Sequence, residues 1–256
     1  MRELVLTIDS VLRGKLTRKE DLAAGRIDVP VLRLVAAGVL LGVVYGLCMG
    51  LFAVMREGNP STAQLLATTV KVPLLFLLTL IVTYPSLYVV SALFDSRLRS
   101  AQTMRLLLTA VCVNLALLAS LGPVTVFFTL STDSYPFMVL LNVLFMGISG
   151  LAGLAFLRRA LDAVFSIPVS GGVPRPAPPG AETGQKSAAV AAWRPVTPPS
   201  RRIFTFWILI YGVVGAQMGW ILRPFIGSPG LEFQFFRERG SNFFAAVIEA
   251  LQKLLS

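Results

Sequence analysis

Histidine is absent from this 256-residue chain, and cysteine occurs only twice, at Cys48 and Cys112. Without histidine the chain lacks the commonest general base and a frequent metal ligand. Two cysteines inside apolar stretches form neither a secreted disulfide framework nor a metal site. Acidic residues are also few, 13 against 23 lysines and arginines. The sequence therefore predicts no metal, no cofactor and no histidine-dependent catalysis.

Apolar residues, by contrast, make up 55% of the chain, and the mean hydropathy is +0.75. They are concentrated in five stretches without a charged residue, each about as long as the ~20 residues that cross a bilayer as a helix. We therefore expect an all-α, polytopic membrane bundle of five transmembrane helices, with amphipathic interfacial helices near both chain ends. The five stretches are 34–55, 72–94, 106–132, 134–157 and 203–222.

The lack of charge within these stretches disfavours whole classes of function. Ion-coupled pumps, proton-driven motors and voltage sensors normally need charged side chains within the membrane. The stretch 147–150 reads GISG, which matches the serine motif of rhomboid-type intramembrane proteases. That chemistry needs a histidine base from another helix, so we interpret Ser149 as a small packing residue. We expect the protein not to be an enzyme.

The distribution of basic residues predicts the orientation. With the N-terminus in the cytoplasm, 17 of the 23 lysines and arginines fall in cytoplasmic segments. The positive-inside rule then predicts a multi-pass protein of the bacterial inner membrane, with a cytoplasmic N-terminus and the C-terminus outside. The basic residues line membrane boundaries and form no patch with interleaved aromatics, so we expect membrane lipid rather than nucleic acid as a partner.

Five regions follow from these patterns. The first is a cytoplasmic amphipathic segment, and the third is a cytoplasmic linker in which proline is too frequent for independent folding. The last carries an aromatic loop and an amphipathic helix on the outer face. In chain order the regions are the amphipathic segment 1–29, helices one to four 30–166, the linker 167–201, helix five 202–225 and the outer region 226–256.

Glycine recurs at four-residue spacing in the first stretch, as in a glycine zipper, and at similar spacing in the fourth and fifth. Small residues let membrane helices approach closely, which is how helices associate in lipid. The glycines predict packing of helices one, four and five within one chain, or alternatively a seam between copies of a homo-oligomer. They are Gly38, Gly42, Gly46 and Gly50 in the first stretch, Gly147, Gly150 and Gly153 in the fourth, and Gly212, Gly215 and Gly219 in the fifth.

Three amide side chains lie inside the stretches, namely Asn114, Asn142 and Gln217. An amide can hydrogen-bond to a neighbouring helix, which stabilises a membrane bundle by roughly 1 kcal/mol. The alternative is that the three amides converge on a path for solute or water. A neutral pore needs only such polar groups and a hydrophobic gate.

The end of the fifth stretch combines residues typical of a membrane interface with residues that suit a contact surface. Tryptophan and arginine are ordinary anchors at the headgroup boundary, and aromatic residues are also enriched in protein interfaces. The candidate outer-interface residues are Trp220, Arg223, Pro224, Phe225 and Phe236.

Four segments of the chain resemble a family of small polytopic bacterial membrane proteins of the cyanobacterial type, some of which carry the label of actin-binding WH2-domain proteins. The segments are KVPLLFLLTLIVTYPSLY at 71–88, GPVTVFF at 122–128, YPFMVLLNVLFMGISGLAGLAFL at 135–157 and WILIYGVVGAQMGWILRPFIGSPGLEFQFFR at 207–237. The resemblance implies an inner-membrane location and no particular activity. The stretch LRGKLTRKE does not match the basic WH2 consensus.

Together these features favour a non-enzymatic membrane anchor or assembly subunit, a scaffold that engages protein partners or forms a homo-oligomer. The alternative is an oligomeric channel or small-solute facilitator in which the three amides line a neutral path.

Overall fold

The computed structural model describes residues 31–56, 59–93, 100–165, 199–227, 231–236 and 243–255, together with Leu6, Asp9, Ser10 and Arg13. This part of the chain folds into six helices and contains no strand, so the all-α prediction is confirmed. The predictions for the linker and for most of the N-terminal segment lie outside the described residues. The helices are α1 (Val31–Met55), α2 (Thr62–Leu93), α3 (Ser100–Ser131), α4 (Tyr135–Phe165), α5 (Pro199–Ile221) and α6 (Phe243–Leu255).

Four of these helices are long and apolar enough to cross a membrane: Val31–Met55, Thr62–Ser86, Met104–Ser131 and Tyr135–Ala160. The shortest has 25 residues, which at about 1.5 Å per residue exceeds the roughly 30 Å of a hydrocarbon core. A shorter apolar helical segment, Ile208–Ile221, corresponds to the predicted fifth span. The chain is therefore a helical bundle with the composition of a membrane protein.

Helix α1 is the centre of the bundle and packs against both α2 and α3. Helix α4 lies on α3, α5 lies mainly on α2, and α6 contacts α4 and α5. Buried apolar residues form two clusters, one around Leu34, Leu106 and Ile208 and the other around Tyr45 and Ile226. The second cluster lies at the end of the bundle where α1 ends and α2 begins, which we call the cap end.

The glycine face of α1 packs against the backbone of α2 in an antiparallel register. A Cβ atom at Gly42 would lie 2.9 Å from Pro73 Cβ, one at Gly46 would lie 2.8 Å from Thr69 Cα, and one at Gly50 would lie 3.1 Å from Leu65 Cα. Each step of four residues along α1 thus matches a step of four along α2. No larger residue fits at these three positions without a shift of the α2 main chain.

The other glycines behave differently from the expectation that helices one, four and five pack together. Gly38 faces α3, because four residues turn a helix by about 40° beyond a full turn and the glycine row drifts around α1. Gly147 and Gly150 have no atom within 4 Å of a Cβ position, and Gly153 faces α3. Gly212, Gly215 and Gly219 have only ordinary side-chain contacts. The partner of the close-packed face is the next helix in the chain, since a short loop places consecutive helices side by side.

Helix α2 begins at Thr62, ten residues before the predicted second span. The candidate span Thr62–Ser86 includes Lys71, whereas the predicted stretch begins after this lysine. The uncharged stretch starts after the lysine, but Ala63–Val70 is itself apolar enough to continue the helix past the charge.

Candidate functional site

The chain leaves α5 at the cap end and forms an irregular segment over the bundle. We call its described residues, 222–227 and 231–236, the cap. The helix stops there because Pro224 disfavours helical geometry in the residue before it. Gly227 adopts a φ of 70°, which favours glycine. The main chain of the cap lies against the first turns of α2.

Two buried polar residues on α2 hold the start of the cap. The Gln64 amide nitrogen donates to the carbonyl oxygens of Pro224, at 3.0 Å, and Phe225, at 2.7 Å. The Thr68 hydroxyl contacts the same Phe225 oxygen and the Gln64 carbonyl oxygen. Irregular backbone is tolerated at membrane depth only where its polar groups find partners in protein or water. Gln64 and Thr68 supply these partners.

Lys71 extends this row by one further turn, because positions 64, 68 and 71 share one face of a helix. Its side chain is completely buried. Nζ donates to the Pro224 carbonyl oxygen at 2.9 Å and to the Phe235 carbonyl oxygen. It also lies 4.6 Å from the centre of the Phe235 ring and 5.6 Å from that of Phe236, which are cation–π distances. One ammonium group therefore ties both ends of the cap to α2.

Arg56 and Asn59 hold the middle of the cap from the loop between α1 and α2. Arg56 Nη1 donates to the Gly227 carbonyl oxygen at 2.8 Å, and its Nε donates to the Asn59 carbonyl oxygen at 3.0 Å. The Asn59 side chain reaches the Leu231 carbonyl oxygen at 3.4 Å. Burial lowers the pKa of Arg56, although the guanidinium group keeps its charge. A polar cavity of about 160 Å³ lies between these residues and the cap.

The predicted outer-interface residues all lie in the cap or directly before it. The Arg223 guanidinium stacks on the Trp220 ring, 3.5 Å from its centre. Pro224 and Phe225 supply the carbonyl oxygens that α2 binds. Phe236 is 57% exposed. The sequence predictions did not identify their partners on α2, namely Gln64, Thr68 and Lys71. The one signal for these partners is that they are polar residues at helical spacing in an otherwise apolar helix.

The three predicted intramembrane amides occupy separate environments. Tyr45 donates its hydroxyl proton to Asn142 Oδ1 at 2.8 Å, and Asn142 Nδ2 donates to the Met138 carbonyl oxygen at 2.8 Å. Asn114, on α3, is buried against Gly153 of α4. Gln217 is half-buried on α5. Of the three, Asn142 alone lines the larger cavity of the cap end described below.

The described residues hold no cluster of three or more His, Cys, Asp or Glu side chains that could bind a metal ion. Cys112 donates its thiol proton to the Leu34 carbonyl oxygen at 3.2 Å, and Cys48 lies against Gly122. Ser149 is fully buried and donates its hydroxyl proton to the Met146 carbonyl oxygen at 3.1 Å, within its own helix. These three side chains are engaged in helix packing.

No protein-family model, no curated protein and no solved structure matches this chain.

Proposed function

We propose that this protein is a non-enzymatic anchor or assembly subunit of the bacterial inner membrane, and that its cap binds a partner protein. One observation carries the proposal: the cap is held firmly by buried polar side chains, yet it exposes large apolar side chains. Their exposed fractions are 52% for Leu231, 43% for Phe233, 40% for Phe235 and 57% for Phe236.

The contrast between the two sides of the cap favours a binding surface. Arg56, Gln64 and Lys71 fix its main chain from below. The aromatic side chains extend from this fixed main chain, and aromatic residues are enriched where proteins meet. A surface that is ordered before binding loses little conformational entropy when a partner arrives. The arrangement suits an apolar segment of a second membrane protein at the outer interface.

The position of α5 supports a fifth span. Ile208 packs in the same cluster as Leu34, near the start of α1, while Ile226 packs with Phe52 at the cap end. The helix and the turn that follows thus cover the same length of the bundle as α1. The bias of basic residues favours a cap end on the side away from the cytoplasm, with α6 at the interface there.

The channel alternative has weaker support. An oligomeric channel with its path between copies of the chain would need the amides on the outer surface of the bundle, but Asn114 and Asn142 are only 6% and 1% exposed. The Asn142 amide is already paired with Tyr45 and Met138.

Site-specific photocrosslinking in intact cells tests the proposed partner. A photoreactive residue replaces Phe236 in one variant and, as the control, Phe244 on α6 in another, since Phe244 is similarly exposed at 52%. We expect a discrete protein adduct from position 236 and none from position 244. Adding Phe233→Ser should lower the adduct at 236 about tenfold, the loss of one good contact.

Equal labelling at both positions, or labelling of lipid alone, would contradict the proposal. An adduct of twice the chain's mass would identify the partner as a second copy of the chain. The proposed role as an assembly subunit would then be wrong, and the protein would be a homo-oligomer.

A further inference from the structure

A cavity of about 410 Å³ lies at the cap end between α4, the end of α5, the start of the cap and α6. Helices α4 and α5 contact each other at Leu154 and Gly212. Toward the cap end the cavity separates them, with Val143 and Met146 on one side and Gly219 on the other. Met49 of α1 lies among its lining residues.

The lining is mainly apolar, as in sites for small organic ligands. Its one buried amide, that of Asn142, is satisfied by Tyr45 and Met138 and so demands no polar group from a ligand. The volume lies at the lower end of the range of about 300–1,000 Å³ for small-molecule sites. It therefore suits one hydrocarbon chain better than a large ring system or two chains.

Charged side chains lie at one part of the cavity wall. Arg223 stacks on Trp220, and Lys253 of α6 pairs with Glu249 at 2.7 Å. Arg223 and Lys253 thus place two cationic groups beside an apolar space. This combination complements a molecule with an anionic head and a hydrocarbon tail.

Helix α6 has the character of an interfacial helix that also covers the cavity. Phe243, Ala246, Val247 and Ala250 line the cavity. On another face, large apolar side chains are about half exposed, at 52% for Phe244, 56% for Ile248 and 47% for Leu251. A helix with such a surface lies at the boundary between headgroups and acyl chains. The cavity beneath it is thus placed beside the lipid of one leaflet.

From this geometry we infer that the cavity binds one acyl chain of an anionic phospholipid, with the headgroup beside Arg223 and Lys253 and with α6 closing over the chain. The inference rests on the proposed membrane insertion but not on a protein partner. It adds a specific lipid site to a chain whose proposed role is assembly.

Native mass spectrometry of the purified full chain tests this site, with phosphatidylglycerol and phosphatidylcholine of matched acyl chains as probes. Val143→Trp fills the cavity, whereas Leu144→Trp adds the same bulk at a neighbouring side chain that is 56% exposed. We expect one tightly held phosphatidylglycerol on the parent protein and on Leu144→Trp. The Val143→Trp variant should retain at least tenfold less.

Lys253→Gln tests the headgroup contact, because the lysine side chain is 64% exposed and its replacement buries no unpaired charge. We expect it to reduce the preference for phosphatidylglycerol over phosphatidylcholine several-fold. If Val143→Trp does not fold, Val247→Trp and its exposed neighbour Ile248→Trp provide a second pair on α6. Equal lipid retention in either matched pair, or no preference between the two lipids in the parent, would overturn the inference. Since no partner protein is present, failure here leaves the crosslinking result unaffected.

Discussion

Lys71 contacts the cap at two separate places, the Pro224 and Phe235 carbonyl oxygens. A cation inside a candidate span is costly unless protein groups replace its hydration, and here two carbonyl oxygens and two aromatic rings do so. Rows of polar residues such as Gln64, Thr68 and Lys71 can be read from sequence. The acceptors cannot, because they are main-chain oxygens about 160 residues away whose position depends on where α5 ends.

Replacing Lys71 with Met tests these contacts at the residue scale. The change keeps the length and apolar stem but leaves the Pro224 and Phe235 carbonyl oxygens without this donor. Hydrogen bonds from charged groups are worth about 1.5–3 kcal/mol each, so we expect a loss of stability of at least about 1.5 kcal/mol. Thermal unfolding in a mild detergent and the rate of proteolysis within the cap measure it.

Arg13→Met is the control, since that side chain is 67% exposed and pairs with the Asp9 carboxylate, whose side chain is 43% exposed. Its effect should stay within about 0.5 kcal/mol, as for ordinary surface changes. If the two variants unfold alike and the cap is equally protected, Lys71 does not hold the cap.

At the scale of elements, the glycine face of α1 brings its main chain close to the main chain of α2. Gly46→Leu would place a side chain where even a Cβ atom lies 2.8 Å from Thr69 Cα. Because backbone cannot yield as a flexible side chain can, we expect a loss of about 1–3 kcal/mol. Gly147→Leu is the control, since a Cβ atom there meets nothing within 4 Å. Reversible unfolding in detergent micelles compares the two variants, and equal midpoints would contradict the packing described here.

The sequence predicts where the helices lie along the chain better than it predicts which helices pack against each other. Uninterrupted apolar length was enough for α1 and α4, but Lys71 obscured the start of α2, since a buried charge looks like a boundary when its partners are unknown. The glycines of α1 predicted a close contact with another helix but did not identify α2, because the main chain of any helix can pack against a row of glycines. Asn142 was recognised as a polar residue within a span, whereas its partner Tyr45 depends on how α1 and α4 lie across the bundle.

At the scale of the whole molecule, the proposed five spans place the two chain ends on opposite sides of the membrane. The proposed fifth span is α5, whose apolar part Ile208–Ile221 covers only about 21 Å as a helix. Its contacts nevertheless run from the cluster of Leu34 to the cap. A helix lying along the interface could not contact both the cluster of Leu34 and the cap end. The charge bias adds an independent reason, because 17 basic residues then lie on one side and six on the other.

Reporter fusions decide between five spans and four. Alkaline phosphatase, which is active only outside the cytoplasm, should be active when fused after Ser256 and inactive when fused after Gly184 in the proline-rich linker. A fluorescent protein that folds only in the cytoplasm should give the reverse pattern. The same side for both positions would make α5 a helix that does not cross, and it would move the cap away from the outer surface on which the proposed partner binds. Each reporter is active on only one side of the membrane, so each position should give one active and one inactive fusion. A degraded fusion is inactive with both reporters and therefore cannot be mistaken for either topology.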